Sequence, residues 1–217
     1  MGVKERQERE REAVGRAILD AARDLFVTDG YHNVSIRKIA ERIEYSPAAI
    51  YGYFPSKDHI FFALAEEGFR MLFTPDPTCA RQADPLDAIR GVFWRVYEFS
   101  RAHPEYFALM FVDRSVPRIS QNWERFGFVR EMKGQVGTTI QRAIDAGLFP
   151  AGSQPDAIFR ILMNAVCGAA LGPLCDRMAP GVDADGLARD TLEATLTGLR
   201  TGIPATFQSP TSGESRE

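Results

Sequence analysis

Ser35-Ile-Arg-Lys-Ile-Ala-Glu-Arg-Ile-Glu-Tyr-Ser-Pro-Ala-Ala-Ile-Tyr-Gly-Tyr-Phe-Pro-Ser-Lys57 is the stretch that decides the fold of this chain. Three of its serines sit where helices can begin. Ser35 can cap a first helix, with Val34 and Ile39 as an apolar staple around the entry. Ser46 can cap a second, with Pro47 at the first helical position, where a missing N–H is harmless. Tyr45 and Ile50 form the matching staple. Ser56 can cap a third, and Asp58 suits the positive end of its dipole. Ile36, Ile39, Ala40 and Ile43 fall on one face of the first of these helices. Upstream, Val14, Ala17, Ile18, Ala21, Ala22, Leu25 and Phe26 recur at three and four, and Gly30 ends that helix as a C-terminal glycine. The pattern predicts a three-helix unit with its own core and a short Pro47 helix held out from it. That is a helix-turn-helix, whose second helix has the dimensions to lie in a major groove.

These residues make the segment resemble the DNA-binding domain of TetR-family transcriptional regulators. The family's Phe-x-x-x-Gly-Tyr is met at Phe26, Gly30 and Tyr31, and its Ser/Thr-x-x-x-Ile-Ala at Ser35, Ile39 and Ala40. Its Ser-x-x-x-Ile/Leu-Tyr-x-Tyr/His-Phe-x-Ser/Asn-Lys is met from Ser46 through Ile50, Tyr51, Tyr53, Phe54 and Ser56 to Lys57. The rest of the chain resembles the family in length and helical character. One departure stands out: the family often has Ala-Gly-Val-Ser in the turn, whereas this chain has Ile43-Glu44-Tyr45-Ser46. Without the glycine, Glu44 is expected to take a left-handed backbone conformation, which is unfavourable for a residue with a Cβ.

The resemblance implies an all-α protein of about nine helices, with a three-helix DNA-binding domain and a larger effector-binding and dimerisation domain. The expected domains are residues 1–59, residues 60–203 and a disordered tail, 204–217. By the same resemblance, Ser35, Arg37 and Lys57 would meet phosphates, and Tyr51 and Tyr53 the sugar-phosphate backbone. Ser46, Pro47, Ala48 and Ala49 would face base edges, where an alanine can touch a thymine methyl. Tyrosine rings bury readily, so one of the two tyrosines can instead serve packing. The expected partners are an operator duplex, a second copy of the chain and a small effector. A repressor released by a largely apolar effector is the implied function. Control by a protein partner or by cysteine oxidation is the alternative.

Composition agrees with a soluble globular protein. The chain has 217 residues, 45% of them hydrophobic, and no continuous apolar run of about eighteen residues for a bilayer. The first ten residues are charged and carry no apolar signal core. Cysteine is sparse and odd in number, at Cys79, Cys167 and Cys175. That suits a reducing cytoplasm better than a disulfide framework. The formal charge is −3, and residues 1–60 carry as many acidic as basic side chains. The basic surplus is local: Arg37, Lys38, Arg42 and Lys57 against Glu41 and Glu44. Affinity for DNA should therefore depend on pairing two subunits, with a clear salt dependence from counterion release.

Beyond residue 59 the sequence stays helical. Helices are expected from Ile60 to Phe73, from Pro85 to His103, over Glu105–Val112, over Ser120–Ala146, from Pro155 to Gly172, and over Ala184–Thr201. The aromatic and sulfur-bearing residues Phe69, Phe73, Trp94, Tyr97, Phe107, Met110, Phe111, Trp123 and Phe126 are candidates to line an effector pocket; each alone also suits a core. Residues 165–172 are small or apolar on every side. Val166, Ala169 and Ala170, with Leu192, Leu196 and Leu199, are candidates for a two-fold helix-pair interface, or for burial within one subunit. An enzyme is not expected. His32, His59 and His103 stand alone, no Cys/His spacing suits zinc, and no nucleophile elbow is present. No cofactor and no metal are implied. Cys167 and Cys175 span an expected helix end, which would allow a bridge.

Overall fold

The computed structural model describes residues 2–73, 84–119 and 124–202. Cys79, Trp123 and the tail 204–217 lie outside them. The protein is all-α, and among the described residues there are nine α-helices and no strand. They are α1 (Val3–Asp29), α2 (Ile36–Arg42), α3 (Pro47–Tyr51), α4 (Lys57–Leu72), α5 (Pro85–Ala102), α6 (Pro104–Phe107), α7 (Gly127–Asp145), α8 (Pro155–Leu174) and α9 (Ala184–Thr201). A 3-10 turn, Tyr31–Asn33, follows α1, and a π turn, Ala108–Val112, continues α6.

The chain forms two compact units, one comprising Met1–Met71 with His103–Gly127, the other Leu72–Ala102 with Phe128–Glu217. The first unit thus extends past the expected boundary at residue 59. The reason is the aromatic face of α4. Phe62 meets Phe126 edge-on at 6.1 Å between ring centroids, and Phe69 meets both Phe111 (6.1 Å) and Phe126 (6.0 Å). Salt bridges add to this, with Arg125 Nε 2.6 Å from Glu66 and Arg16 2.6 Å from Glu67. Residues far along the chain are thereby fastened to α4. A Cβ built on Gly68 would stand 2.4 Å from Met110 Sδ and 3.1 Å from Tyr106 Cδ1. Any larger side chain there would push Met110 aside and press on the Tyr106 ring, so the glycine suits this close approach of α4 to α6 and the π turn.

The second unit centres on α8, which packs against α9 and α5. Its inward face is Ala157, Ile158, Leu162, Val166 and Ala170, and α9 answers with Ala188, Leu192 and Leu196. Four of the six candidate dimer residues, Val166, Ala170, Leu192 and Leu196, are therefore buried inside the chain and are not available to a second copy. Ala169 and Leu199 are half-buried. The exposed side of α8 is the opposite one: Arg160, Asn164, Gly168 and Leu171, with Cys175 exposed just past its end. Among the described residues α8 is the one helix long and apolar enough to cross a membrane, yet only 28% of that apolar stretch is buried.

Several boundaries follow local chemistry. Asp84 accepts from the Leu86 N–H at 2.9 Å and Asp183 from the Gly186 N–H at 2.9 Å, capping α5 and α9. Gly202, left-handed at φ 84°, closes α9. Of the helix expected over Ser120–Ala146, residues 120–123 lie outside the described residues; α7 begins at Gly127, after a turn at 124–126 that sinks Phe126 into the core of the first unit.

Candidate nucleic-acid interface

The helix-turn-helix is set by three serines and one strained residue. The Ser35 hydroxyl accepts from the Lys38 N–H, and the Ser46 hydroxyl from the Ala49 N–H, both at 3.2 Å. Ser56 accepts weakly from the His59 N–H at 3.4 Å at the head of α4. Between α2 and α3 the backbone N–H of Tyr45 donates to the Ala40 carbonyl at 2.9 Å, and that of Glu44 to the Glu41 carbonyl at 3.3 Å. This pair of bonds is the Schellman closure of a helix, which needs a left-handed residue at its centre. Glu44 takes that place, at φ 59°. The expectation raised by the missing glycine is met: the turn keeps its geometry and Glu44 carries the strain.

The turn holds α3 with one side inward. Ile50 is fully buried, whereas Ser46, Pro47 and Ala48 are exposed and Ala49 is half-buried. Tyr51 is 55% exposed, as is Tyr45 at 45%. Tyr53 behaves differently. It is half-buried beside α1, where the Arg11 guanidinium lies 5.6 Å from its ring centroid and a Cβ on Gly15 would stand 3.9 Å from its Cδ1. Of the two tyrosines, Tyr51 is the open one and Tyr53 is packed. Phe54, for which a core position is natural, is half-buried.

The cations differ in how firmly they are held. Arg37 pairs with Glu41 at 2.8 Å on an exposed surface. Lys38 reaches Asp29 at 2.6 Å, and this bond holds the Asp29 carboxyl below the usual range. Lys57 is the most constrained. Its ammonium donates to the Tyr31 carbonyl at 2.7 Å and lies 4.1 Å from the centre of the Tyr31 ring. Burial lowers its pKa, against the pull of Asp58. The Tyr31 hydroxyl in turn donates to Asp58, and burial together with that bond raises its pKa far above the ordinary phenol range. Lys57, Asp58 and Tyr31 thus brace the head of α4 against the turn after α1. The motif spacing identifies these positions without revealing the brace, because its partners lie 26 and 27 residues apart.

The candidate effector residues fall into two groups. Phe69, Phe107, Phe111 and Phe126 cluster in the first unit, with Phe107 and Phe111 5.0 Å apart. Met110 joins them on the π turn beside Gly68. Phe73, Trp94 and Tyr97 belong to the second unit. There Trp94 stacks at 5.0 Å on Tyr97 and lines a groove of about 340 Å³ with Asp87, Arg90, Gly91, Arg189, Leu192 and Glu193. Trp123 is not among the described residues. Cys167 is half-buried, with its thiol pushed up to about 11 by burial, and Cys175 is exposed. Eight residues of helix separate them by about 12 Å along the axis. A disulfide needs Cα atoms within about 7 Å, so an intrachain bridge between them requires unwinding the end of α8.

The family profile "Bacterial regulatory proteins, tetR family" matches residues 18–64. The HTH-type transcriptional regulator RutR of Escherichia coli (strain K12) is 31% identical over 90 residues, which is 42% of either chain. The first curated relatives are matched over less than half of their own length. The HTH-type transcriptional repressor SCO4008 of Streptomyces coelicolor is 26% identical over 190 residues, covering 85% of this chain and 94% of the other. Among solved structures, the transcriptional regulator FadR from Bacillus subtilis, crystallised with stearoyl-CoA, superposes with a TM-score of 0.69 at 15% identity. That match covers 84% of this chain and 98% of FadR.

Proposed function

The chain belongs to the tetR family of bacterial regulatory proteins, and on that premise we propose that it is a cytoplasmic, homodimeric regulator that binds an operator duplex through α3. The observation that carries this is the serine-capped, proline-led α3, which rests on the buried Ile50 and presents Ser46, Pro47, Ala48 and Tyr51 outward. These side chains are small or hold a single hydroxyl, so direct base readout is sparse. DNA shape must supply much of the discrimination, while Arg37 and Tyr51 fix the register on the backbone.

Self-association is supported by α8. Most of this apolar helix is only half-buried, and its open side offers room for a partner. The face left open, Asn164, Gly168 and Leu171, is flat enough for a second copy, since a Cβ on Gly168 would meet nothing within 4 Å. Two α3 helices would then read half-sites about 34–36 Å apart. For control, we infer a small apolar effector that parts the aromatic packing around α4. Support comes from Gly68, the close seat of Met110 and the π turn, a helical irregularity frequent at functional sites. FadR, which shares the fold, was crystallised with an acyl-CoA; long-chain acyl groups are thus the first effectors to try. An effector releases DNA only through unequal affinity for the two states.

Capture of fragmented genomic DNA by the purified protein tests this. Enrichment of a two-fold symmetric site is expected, and an acyl-CoA that raises the melting temperature should also release that site. A dimer that enriches no sequence would sink the operator reading. Stabilisation by ligand without release would sink the coupling alone.

A further inference from the structure

The basic residues of the helix-turn-helix motif are mostly engaged within the protein. Arg37 is paired with Glu41, Lys38 with Asp29, and Lys57 is held on Tyr31. Arg42 stays exposed and the Arg37 pair is loose, yet the motif offers few cations in all, and further ones from outside it would add to phosphate binding. Along α1, the exposed first turns hold Arg6 against Glu10 at 3.0 Å and Arg9 against the Glu5 carbonyl at 3.3 Å. Arg11 is different. It is exposed, it forms no ion pair with any described carboxylate, and its guanidinium lies 5.6 Å from the centre of the Tyr53 ring.

That position is informative. Tyr53 follows the last residue of α3 by two positions, and the five residues of α3 span about 7.5 Å. A major groove is about 12 Å wide, so a group at the end of so short a helix stands beside the phosphates bordering the groove. Gly15, one turn after Arg11, lies in van der Waals range of the same ring, so α1 runs alongside Tyr53 and the ring can serve as a platform. A guanidinium resting on an aromatic face keeps its N–H edge free, and that edge is the part suited to a phosphate.

We propose that Arg11, seated on Tyr53, is a DNA phosphate contact supplied by α1 from outside the motif and upstream of the segment that carries the family pattern. Tyr53 then acts through Arg11, in addition to or instead of its own hydroxyl. The assignment rests on the DNA-binding reading of α3.

The test is the salt dependence of binding by the full-length protein to its captured operator, measured by fluorescence anisotropy. Each lost phosphate contact flattens the slope of log K against log salt by about 0.9. Arg11→Gln, which removes two contacts per dimer, should flatten it by about 1.8. The loss should be the same on every operator variant, and the melting temperature should stay unchanged. Arg11→Lys should restore most of the slope. Arg9→Gln removes the same charge from the other side of the helix and should keep the wild-type slope. An Arg11→Gln protein with the wild-type slope, or one that melts earlier at the wild-type slope, overturns the assignment while leaving α3 as the reader. Equal flattening by Arg9→Gln also overturns it, since the effect would then be the general field of α1. Wild-type protein that binds no duplex at all brings down the underlying reading together with this one.

Discussion

Replacing Glu44 with glycine should stabilise this protein, and the reason lies wholly in the backbone. Glu44 sits at φ 59° in the closure of α2, bonded through its own N–H to Glu41 and flanked by the Tyr45 to Ala40 bond. A left-handed conformation is unfavourable for an L-residue by roughly 1–2 kcal/mol, through Cβ against the carbonyl oxygen. Glycine lacks that clash but has more freedom to lose on folding, about 0.4–1 kcal/mol. The difference leaves a gain of about 0.5–1 kcal/mol. Charge contributes little, since Glu44 is exposed and lies between the negative end of α2 and the positive end of α3, whose effects oppose. For a chain of this size that gain corresponds to about 1–4 °C in melting temperature. Because the chain has two compact units, native-state hydrogen exchange at the amides of Tyr45 and Ala49 gives the cleaner readout. Glu44→Gly should slow exchange there, and Glu44→Gln and Glu44→Ala, which keep the Cβ, should not. If alanine slows exchange as much as glycine does, the strain explanation is wrong and the carboxylate was the cause.

Leu171, 40% exposed on the open side of α8, and the buried Leu196 of α9 should separate assembly from folding. Leu171→Glu should give a folded monomer by light scattering, whereas Leu196→Ala should lose about 2–5 kcal/mol of stability; a dimeric Leu171→Glu protein would refute this choice of face. Burial, with the hydroxyl bond to Asp185 at 2.7 Å, pushes Tyr97 up to about 12, and Tyr31 and Tyr106 are raised as well, chiefly by burial. Their neutral forms are favoured in the fold, so stability should be full below the ordinary phenol value near 10 and fall as pH climbs toward 12 and beyond. Tyr97→Phe should make the fall in urea midpoint between pH 10 and 12 shallower. Arg37→Gln should flatten the salt slope of operator binding by about 1.8 per dimer, while Lys57→Met should lower affinity with a smaller change in slope; equal slopes for both would contradict the brace on Tyr31.

What the sequence made legible here is the chemistry of helix ends. Ser35, Ser46 and Gly30 act on backbone groups within a few residues, so their roles can be read from neighbours alone. Even the left-handed Glu44 follows from a missing glycine. The partition of the chain was not legible in that way. Phe126 and Arg125 join α4 through Phe62 and Glu66, across about sixty residues of sequence, and nothing in the local pattern marks that choice. The α8 face was undecidable for another reason. A helix apolar on all sides has no periodicity to say which side turns inward. The decision came from distant partners such as Phe93, whose ring meets Phe159 at 5.6 Å.

The engaged cations also rank themselves. The Arg37–Glu41 pair is an exposed one, four residues apart on a helix, and such pairs contribute only about 0.3–0.5 kcal/mol. A phosphate can draw Arg37 away at little loss. Lys57 would give up a carbonyl bond and an aromatic face in a half-buried setting, and the Tyr31 carbonyl would then need a new donor. Any phosphate it meets must therefore be reached with its remaining N–H bonds while the brace stays intact. So the motif lysine orients α4, and any contact it makes with DNA is secondary to that brace. On the proposed reading, the loosely held charge that phosphates can draw on is Arg37 and Arg42 of α2 together with Arg11 of α1, seated on Tyr53.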